Sequence, residues 1–253
     1  MIRQRSIVSC RALATTPLID IRVEDALGAT TLERLTDAPA FNRWMYSRFD
    51  SWLGNSVLEV GSGIGNLSQF FVERERVVLT DIDDAYLELL RDKFGELGGV
   101  RFEKMILPEV PSTLTGDRFK SILCVNVLEH IEDDRAALSS MRSLLEKDGR
   151  LVLLVPAFQW LFGTLDAALS HFRRYTKRSL RTVLAETGFR VIHLEYFNMG
   201  SMLGWWFTGR VLKKKVIPVK VLKLYDSLVP VFRQERLIPW RVGQSVIAVG
   251  EKQ

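Results

Sequence analysis

The chain has 253 residues, 47% of them apolar and 26% charged, which is enough to bury one full core and does not require a second domain. Its formal net charge is only +5, and the six basic residues between Arg210 and Lys223 exceed that surplus, so the rest is nearly balanced; with no DNA or RNA module motif, a nucleic-acid partner is not expected. Two cysteines, Cys10 and Cys124, are far apart in sequence and Cys124 falls in a run that reads as a buried strand, so free thiols and a reducing compartment are expected, with no metal-binding cysteine set.

Residues 1–40 show no clear period and read as a leader or lid. The chain starts with positive charge at Arg3 and Arg5, but Arg11 interrupts the apolar stretch too early for a signal peptide, so a cytoplasmic location is expected. Phe41, Trp44, Met45, Arg48, Phe49 and Trp52 then recur at helical spacing and predict an amphipathic helix that packs on the core or roofs a ligand site. Next, Val57-Leu58-Glu59-Val60-Gly61-Ser62-Gly63-Ile64-Gly65 reads as a buried strand entering a glycine turn, where alternate glycines let a ligand lie against bare backbone. Two ligands commonly use such a unit, and charge separates them. A dinucleotide brings a pyrophosphate, which a carboxylate at Glu59 repels, and its fingerprint wants glycine where Asn66 stands. S-adenosylmethionine brings a sulfonium and an ammonium and no phosphate, so Glu59 suits it. An NAD-type oxidoreductase is disfavoured on the same ground.

A helix over 66–76 leads to the apolar run Val77-Val78-Leu79-Thr80 and then Asp81, ~20 residues past the turn, where a carboxylate commonly grips a ribose diol. Ile82 would flank the adenine. The alternative for Asp81 is a cap on the following helix. Short Val/Ile/Leu-rich runs at 101–105, 121–125 and 151–155 read as further parallel strands, and Leu138, Met141, Leu144 and Leu145 as one helix face before the Asp148-Gly149 turn. The alternation is that of an α/β domain, in which ligands bind outside the carboxyl ends of the strands. That rule selects Asn126, Glu129 and His130 after the fourth strand and Trp160 after the fifth. Asn126 joins the cofactor candidates with Glu59, Gly61, Ser62, Gly63, Gly65, Asp81 and Ile82. His130 is a candidate catalytic group, or else forms with Glu129 a helix start that orients the cofactor loop.

The stretch from Asp166 to Tyr175 is placed to fold over the site. There His171 suits a general base, Arg174 suits a carboxylate or phosphate, and Tyr175 and Trp160 would contact the acceptor, unless one arginine and the tyrosine lock the lid to the core. Residues 197–244 form an extra helical segment before the last strand, with Met199, Met202, Trp205, Trp206 and Phe207 forming an apolar patch beside the basic run. Tryptophans next to lysines suit an interfacial element, whereas Arg210, the lysines at 213–215 and Asp226 break every apolar run short of the ~20 residues of a membrane span. A pocket wall and a dimer surface are the alternatives.

Taken in order, the glycine motif at 57–65, Asp81, Val127-Leu128-Glu129-His130-Ile131 and Asp148-Gly149-Arg150-Leu151-Val152 resemble the successive motifs of class I S-adenosylmethionine-dependent methyltransferases. The resemblance covers about residues 41–196 with a last strand near 245–250. It implies a seven-stranded, mostly parallel sheet with helices on both faces and an antiparallel last strand, S-adenosylmethionine as cofactor, and one domain spanning residues 1–253. The Leu-Glu-His run is similar to that of ubiquinone-pathway O-methyltransferases, in which a further glutamate three residues earlier helps hold a divalent metal; Asn126 stands there, and no metal is expected. The run from His171 to Tyr175, followed by Lys177-Arg178-Ser179-Leu180, resembles bacterial methyltransferases associated with glycan and lipid-linked sugar pathways. Methyl transfer to oxygen or nitrogen of a small or lipid-linked acceptor is therefore expected, with peripheral membrane contact through 199–223. The alternative is a non-catalytic cofactor-binding scaffold. Lys104-Met105-Ile106-Leu107 lacks the acidic residue that relatives often place near the adenine.

Overall fold

The computed structural model describes residues 36–213, 219–237 and 242–253; most of the proposed leader, Cys10, Lys214 and Lys215 lie outside these. Seven strands form one sheet: β1 (Ser56–Val60), β2 (Arg76–Asp81), β3 (Val100–Lys104), β4 (Phe119–Val125), β5 (Leu145–Pro156), β6 (Phe189–Phe197) and β7 (Ser245–Lys252). Their order is β3-β2-β1-β4-β5-β7-β6. The first five are parallel, and β7 runs antiparallel between β5 and β6. The carboxyl ends of β1 and β4 are therefore adjacent at the centre of the sheet, where the direction of strand order reverses and a crevice opens.

Strand alternation divides the core into two layers. Leu58, Ile122 and Cys124 enter one apolar cluster, while Val57, Val77 and Leu123 enter the other. Against the first layer pack helices α3 (Asp134–Ser143) and α5 (Lys177–Glu186), through Leu138, Met141, Leu180 and Leu184. Against the second pack α1 (Pro39–Tyr46) and α2 (Asp84–Phe94), through Trp44, Met45, Leu87 and Leu90. The insert is helical, as expected. A short α4 (Thr164–Ala168) precedes α5, and α6 (Met202–Trp206) continues as a π-turn over Phe207–Val211. Helix α7 (Val219–Phe232) then adds Val229 to the second layer.

Three local expectations are corrected. The segment 66–76 forms only a 3₁₀ turn at Ser68–Phe70, because Phe71 leaves helical geometry at φ −138°. Consecutive Phe70 and Phe71 both stack on Tyr46, which anchors this turn to α1. The helix foreseen across 41–52 stops at Tyr46, and a separate 3₁₀ turn at Asp50–Trp52 follows. Leu144 and Leu145 lie beyond α3; Asp148 at φ +59° kinks the chain so that Leu145 already pairs with Phe119 and opens β5. The carbonyl end of β6 is held by Arg48, which clasps Glu195 through two nitrogens.

Candidate active site

The turn after β1 is built around backbone that side chains would obstruct. Gly61, Gly63 and Gly65 all have positive φ. A Cβ on Gly61 would stand 2.4 Å from Val127 Cγ2, and one on Gly65 would stand 2.7 Å from Phe94. Those two glycines therefore make room for the protein's own packing, and Gly65 does not line the cavity described below, contrary to its expected ligand role. Gly61, Ser62 and Gly63 do line it.

Asp81, at the end of β2, organises this turn. Its Oδ2 accepts from the Gly63 N–H at 2.8 Å and its Oδ1 from the Asp83 N–H at 3.1 Å. The cap on α2 is Asp83, whose carboxylate accepts from Ala85 N–H at 2.8 Å, so the capping alternative for Asp81 falls to its neighbour. Burial raises the Asp81 carboxyl above its ordinary value. Glu59 lies deeper, accepts from the Ser68 hydroxyl, and is pushed by burial to about 7. A buried carboxylate of this kind gains from a cation brought beside it. Ile82 is largely exposed and forms an apolar wall of the same cavity.

The opposite wall comes from the ends of β4 and β5. Asn126 adopts φ +53°, a conformation asparagine tolerates well, and donates its N–H to Leu154 O at 2.8 Å. Glu129 is fully buried, neither carboxylate oxygen has a hydrogen-bond partner among the described residues, and burial drives it up to about 8. His171 packs edge-on to His130 with ring centroids 4.6 Å apart and turns Nε2 to within 4.0 Å of Glu129. The other nitrogen, Nδ1, meets Asp166 at 3.0 Å.

Asp166, which the sequence marks only as the start of this stretch, gathers the segment's polar groups. Fully buried, it accepts from Arg174 Nε at 2.7 Å, Gly163 N–H at 3.0 Å and Trp205 Nε1 at 3.3 Å in addition to His171. Burial pushes this carboxyl up, yet the His171 hydrogen bond and the Arg174 charge outweigh it and hold it below its ordinary value. A single acidic residue five positions before a histidine is a weak signal, because the intervening chain must bend back for the two to meet.

Arg174 is committed elsewhere than expected. Its guanidinium is wholly buried, bonded to Asp166 and to Ala157 O at 2.8 Å, and set over the Trp205 ring; only Nη2 lacks a partner among the described residues. Tyr175 is a correction: its hydroxyl donates to Asp134 at 2.9 Å and its side chain is buried in the core, away from the cavity. It is this pair that locks the segment to the core. Trp160 is a second correction, since it is more than half exposed and does not line the cavity. One turn of 3₁₀ helix at Gln159–Leu161 points it outward past Phe158.

Glu129, His130 and His171 bring three metal-type donor atoms within 4.8 Å of one another, a grouping hidden from sequence because His171 comes from another segment. Arg174 adds a positive charge beside Glu129 that a divalent cation would have to oppose.

Glu59, Asp81, Asn126, Glu129, His130 and His171 all line one cavity of about 1390 Å³ above the carboxyl ends of β1, β2 and β4. Ordinary ligand pockets occupy roughly 300–1,000 Å³, so there is space for a cofactor and a second molecule. Phe41 and Met45 of α1, Trp205 of α6 and Leu222 and Tyr225 of α7 enclose it. Helix α1 thus serves both expected roles, packing Trp44 on the core and turning Phe41 to the cavity.

Comparison with known proteins agrees with this architecture. The N-methyltransferase NodS of Bradyrhizobium japonicum, solved with S-adenosyl-L-homocysteine, superposes with a TM-score of 0.60 at 14% identity, over 90% of this chain and 95% of that one. Magnesium protoporphyrin IX methyltransferase from Synechocystis, also solved with that product, gives 0.57 at 14% identity over 90% and 96%. The fold is that of class I S-adenosylmethionine-dependent methyltransferases. A methyltransferase-domain family profile matches residues 30–194, well over half of the sequence, and the chain belongs to that family, whose cofactor is S-adenosylmethionine. The ubiquinone/menaquinone biosynthesis C-methyltransferase UbiE of Vibrio vulnificus is 33% identical over 128 residues, which cover 47% of this chain and 48% of that protein. The chain thus spans about half the length of the curated relatives it matches.

Proposed function

We propose that the chain transfers a methyl group from S-adenosylmethionine to an oxygen or nitrogen of a small or lipid-linked acceptor, such as a glycan precursor. The observation that carries this reading is that the buried carboxylates Glu59 and Asp81 share one cavity with a half-buried histidine held by its own carboxylate. The cavity fits the cofactor: Glu59 gains from a cationic partner, Gly63 and Ser62 present backbone, Ile82 offers an apolar face, and Asp81 lies where a ribose diol would donate to it.

When bound, S-adenosylmethionine supplies a methyl group already activated by its sulfonium. The protein's part is then to align an acceptor and exclude water. His171 gives its Nδ1 proton to the hydrogen bond with Asp166, which leaves the Nε2 lone pair toward the cavity to accept a proton from an acceptor hydroxyl. Asp166 fixes that tautomer and stabilises the imidazolium as it forms. His130, edge-on to His171, limits the ring's rotation. Arg174, paired with Asp166, steadies the carboxylate that holds His171.

The C-methyltransferase activity of the UbiE relatives favours a second reading, a carbon acceptor, which needs the same proton-accepting group. The test is methyl transfer from labelled cofactor to sugar, lipid-linked and quinol-type acceptors by wild type and His171→Ala. The variant should lose at least about tenfold in turnover with cofactor affinity intact, as general-base loss typically costs. Full activity on the acceptor that wild type uses would make His171 structural.

A further inference from the structure

We propose that the outer face of the insert is a membrane-docking surface that rests the cavity beside an anionic lipid bilayer. The proposal deepens the methyl-transfer reading, on which the delivery of a lipid-linked acceptor rests.

Helix α7 is apolar on two sides. Tyr225, Val229 and Phe232 pack inward on the core, and Leu222 faces the cavity. On the other side Val221, Leu224, Leu228 and Val231 recur three and four residues apart, and each is at least 40% exposed. The only acid of this helix, Asp226, is turned inward to accept from the N–H groups of Ala40 and Phe41. Helix α6 and its π-turn repeat the arrangement. There Leu203, Trp206, Phe207 and Val211 form a second outward stripe, again each at least 40% exposed. A helix needs one apolar stripe to hold it to a core; a second stripe requires a second apolar phase.

Charge selects among possible occupants. Arg210, Lys213, Lys220 and Lys223 border the stripes, and with Lys214 and Lys215 they make a segment of six cations and no acid from 210 to 223. Lys223 lies 3.7 Å from Asp37, an exposed pair that neutralises little. A second copy docked by the same face would bring the two cationic segments together across a two-fold axis. An anionic lipid surface instead takes the apolar stripe at its acyl boundary and the cations at its headgroups. No helix among the described residues is long and apolar enough to cross a membrane, so the contact is interfacial. Val221 belongs both to the outward stripe and to the cavity lining, so the docked face and the cavity rim are continuous.

The test is co-sedimentation of the full chain with vesicles of phosphatidylcholine alone and of phosphatidylcholine with phosphatidylglycerol, at low and high salt. Wild type should partition at least about tenfold more strongly onto the anionic vesicles and lose that preference in high salt. Leu224→Ser/Leu228→Ser, at residues that neither line the cavity nor pack on the core, should lose it about tenfold while calorimetric affinity for S-adenosylmethionine is unchanged. Failure to pellet with anionic vesicles, by protein that binds S-adenosylmethionine, would overturn the docking surface and leave the methyl-transfer reading standing. So would a concentration-dependent dimer in sedimentation velocity that the double variant abolishes, which assigns the stripe to a second copy. Vesicle binding that emerges only when residues 1–35 are removed would assign it to that segment.

Discussion

Glu59 is a buried carboxylate that lines the cavity at the end of β1. Its folded-state value of about 7 stands above its ordinary 4.5, as does that of Glu129 at about 8, both chiefly through burial. The folded chain therefore holds these protons more tightly than the unfolded chain. The stability they contribute is fully present below about pH 4.5 and is lost as pH rises through about 7 and 8. Thermal denaturation of the cofactor-free protein should show this loss, and Glu59→Gln/Glu129→Gln should flatten it. A cation placed beside Glu59 favours the ionised form, so binding S-adenosylmethionine near pH 6 should release a proton. Calorimetric heats should then vary with the ionisation enthalpy of the buffer in wild type and not in Glu59→Gln. Buffer-independent heats in wild type would separate Glu59 from the cofactor's charge. Asp166 makes a second test at this scale. Removing one partner of a buried ion pair costs about 3–5 kcal/mol, against ~0–1 kcal/mol for an exposed one. Asp166→Ala should thus destabilise far more than Glu186→Ala, which breaks the exposed pair with Arg135. Equal denaturation midpoints would contradict the hub role of Asp166.

At the scale of elements, the glycine turn, the end of β2 and the end of β4 interlock. Gly61 gives its volume to Val127, and Gly63 gives its N–H to Asp81. Gly61→Ala should accordingly destabilise by several kcal/mol, through positive φ and contact with Val127, and Val127→Ala should recover part of the loss. No recovery in the double variant, measured by denaturant unfolding, would mean that backbone strain alone is responsible. The strands of this unit were readable because buried parallel strands are continuous apolar runs: 57–60, 77–80 and 121–125 fall inside β1, β2 and β4. Edge strand β6 lacks that signal, since His193 and Glu195 interrupt it and most of its residues are half-exposed. The 3₁₀ turn at Ser68–Phe70 was misread as part of a helix because composition alone does not show that Phe70 and Phe71 share one partner. Around the cavity, charge and position relative to strand ends singled out Asp81, Glu59 and His171, all of which line it. Asp166 and the burial of Arg174 depend on how one loop folds back, which spacing does not encode. The same folding back turned Tyr175 into the core and Trp160 outward.

For the whole molecule, the sheet supplies a fixed floor, and α1, α6 and α7 enclose a cavity large enough for two ligands. The insert both walls that cavity and presents exposed apolar stripes, so the part of the chain outside the common fold is the part that would choose the acceptor. The core reading depends on the floor. Titration calorimetry of the purified chain with S-adenosylmethionine and, separately, with NADH tests it most directly. S-adenosylmethionine should bind with roughly micromolar affinity, about −8 kcal/mol, NADH should not bind, and Asp81→Ala should lose more than about tenfold. Folded protein that fails to bind S-adenosylmethionine, or an Asp81→Ala variant that binds it as wild type does, would contradict the assignment of the cavity.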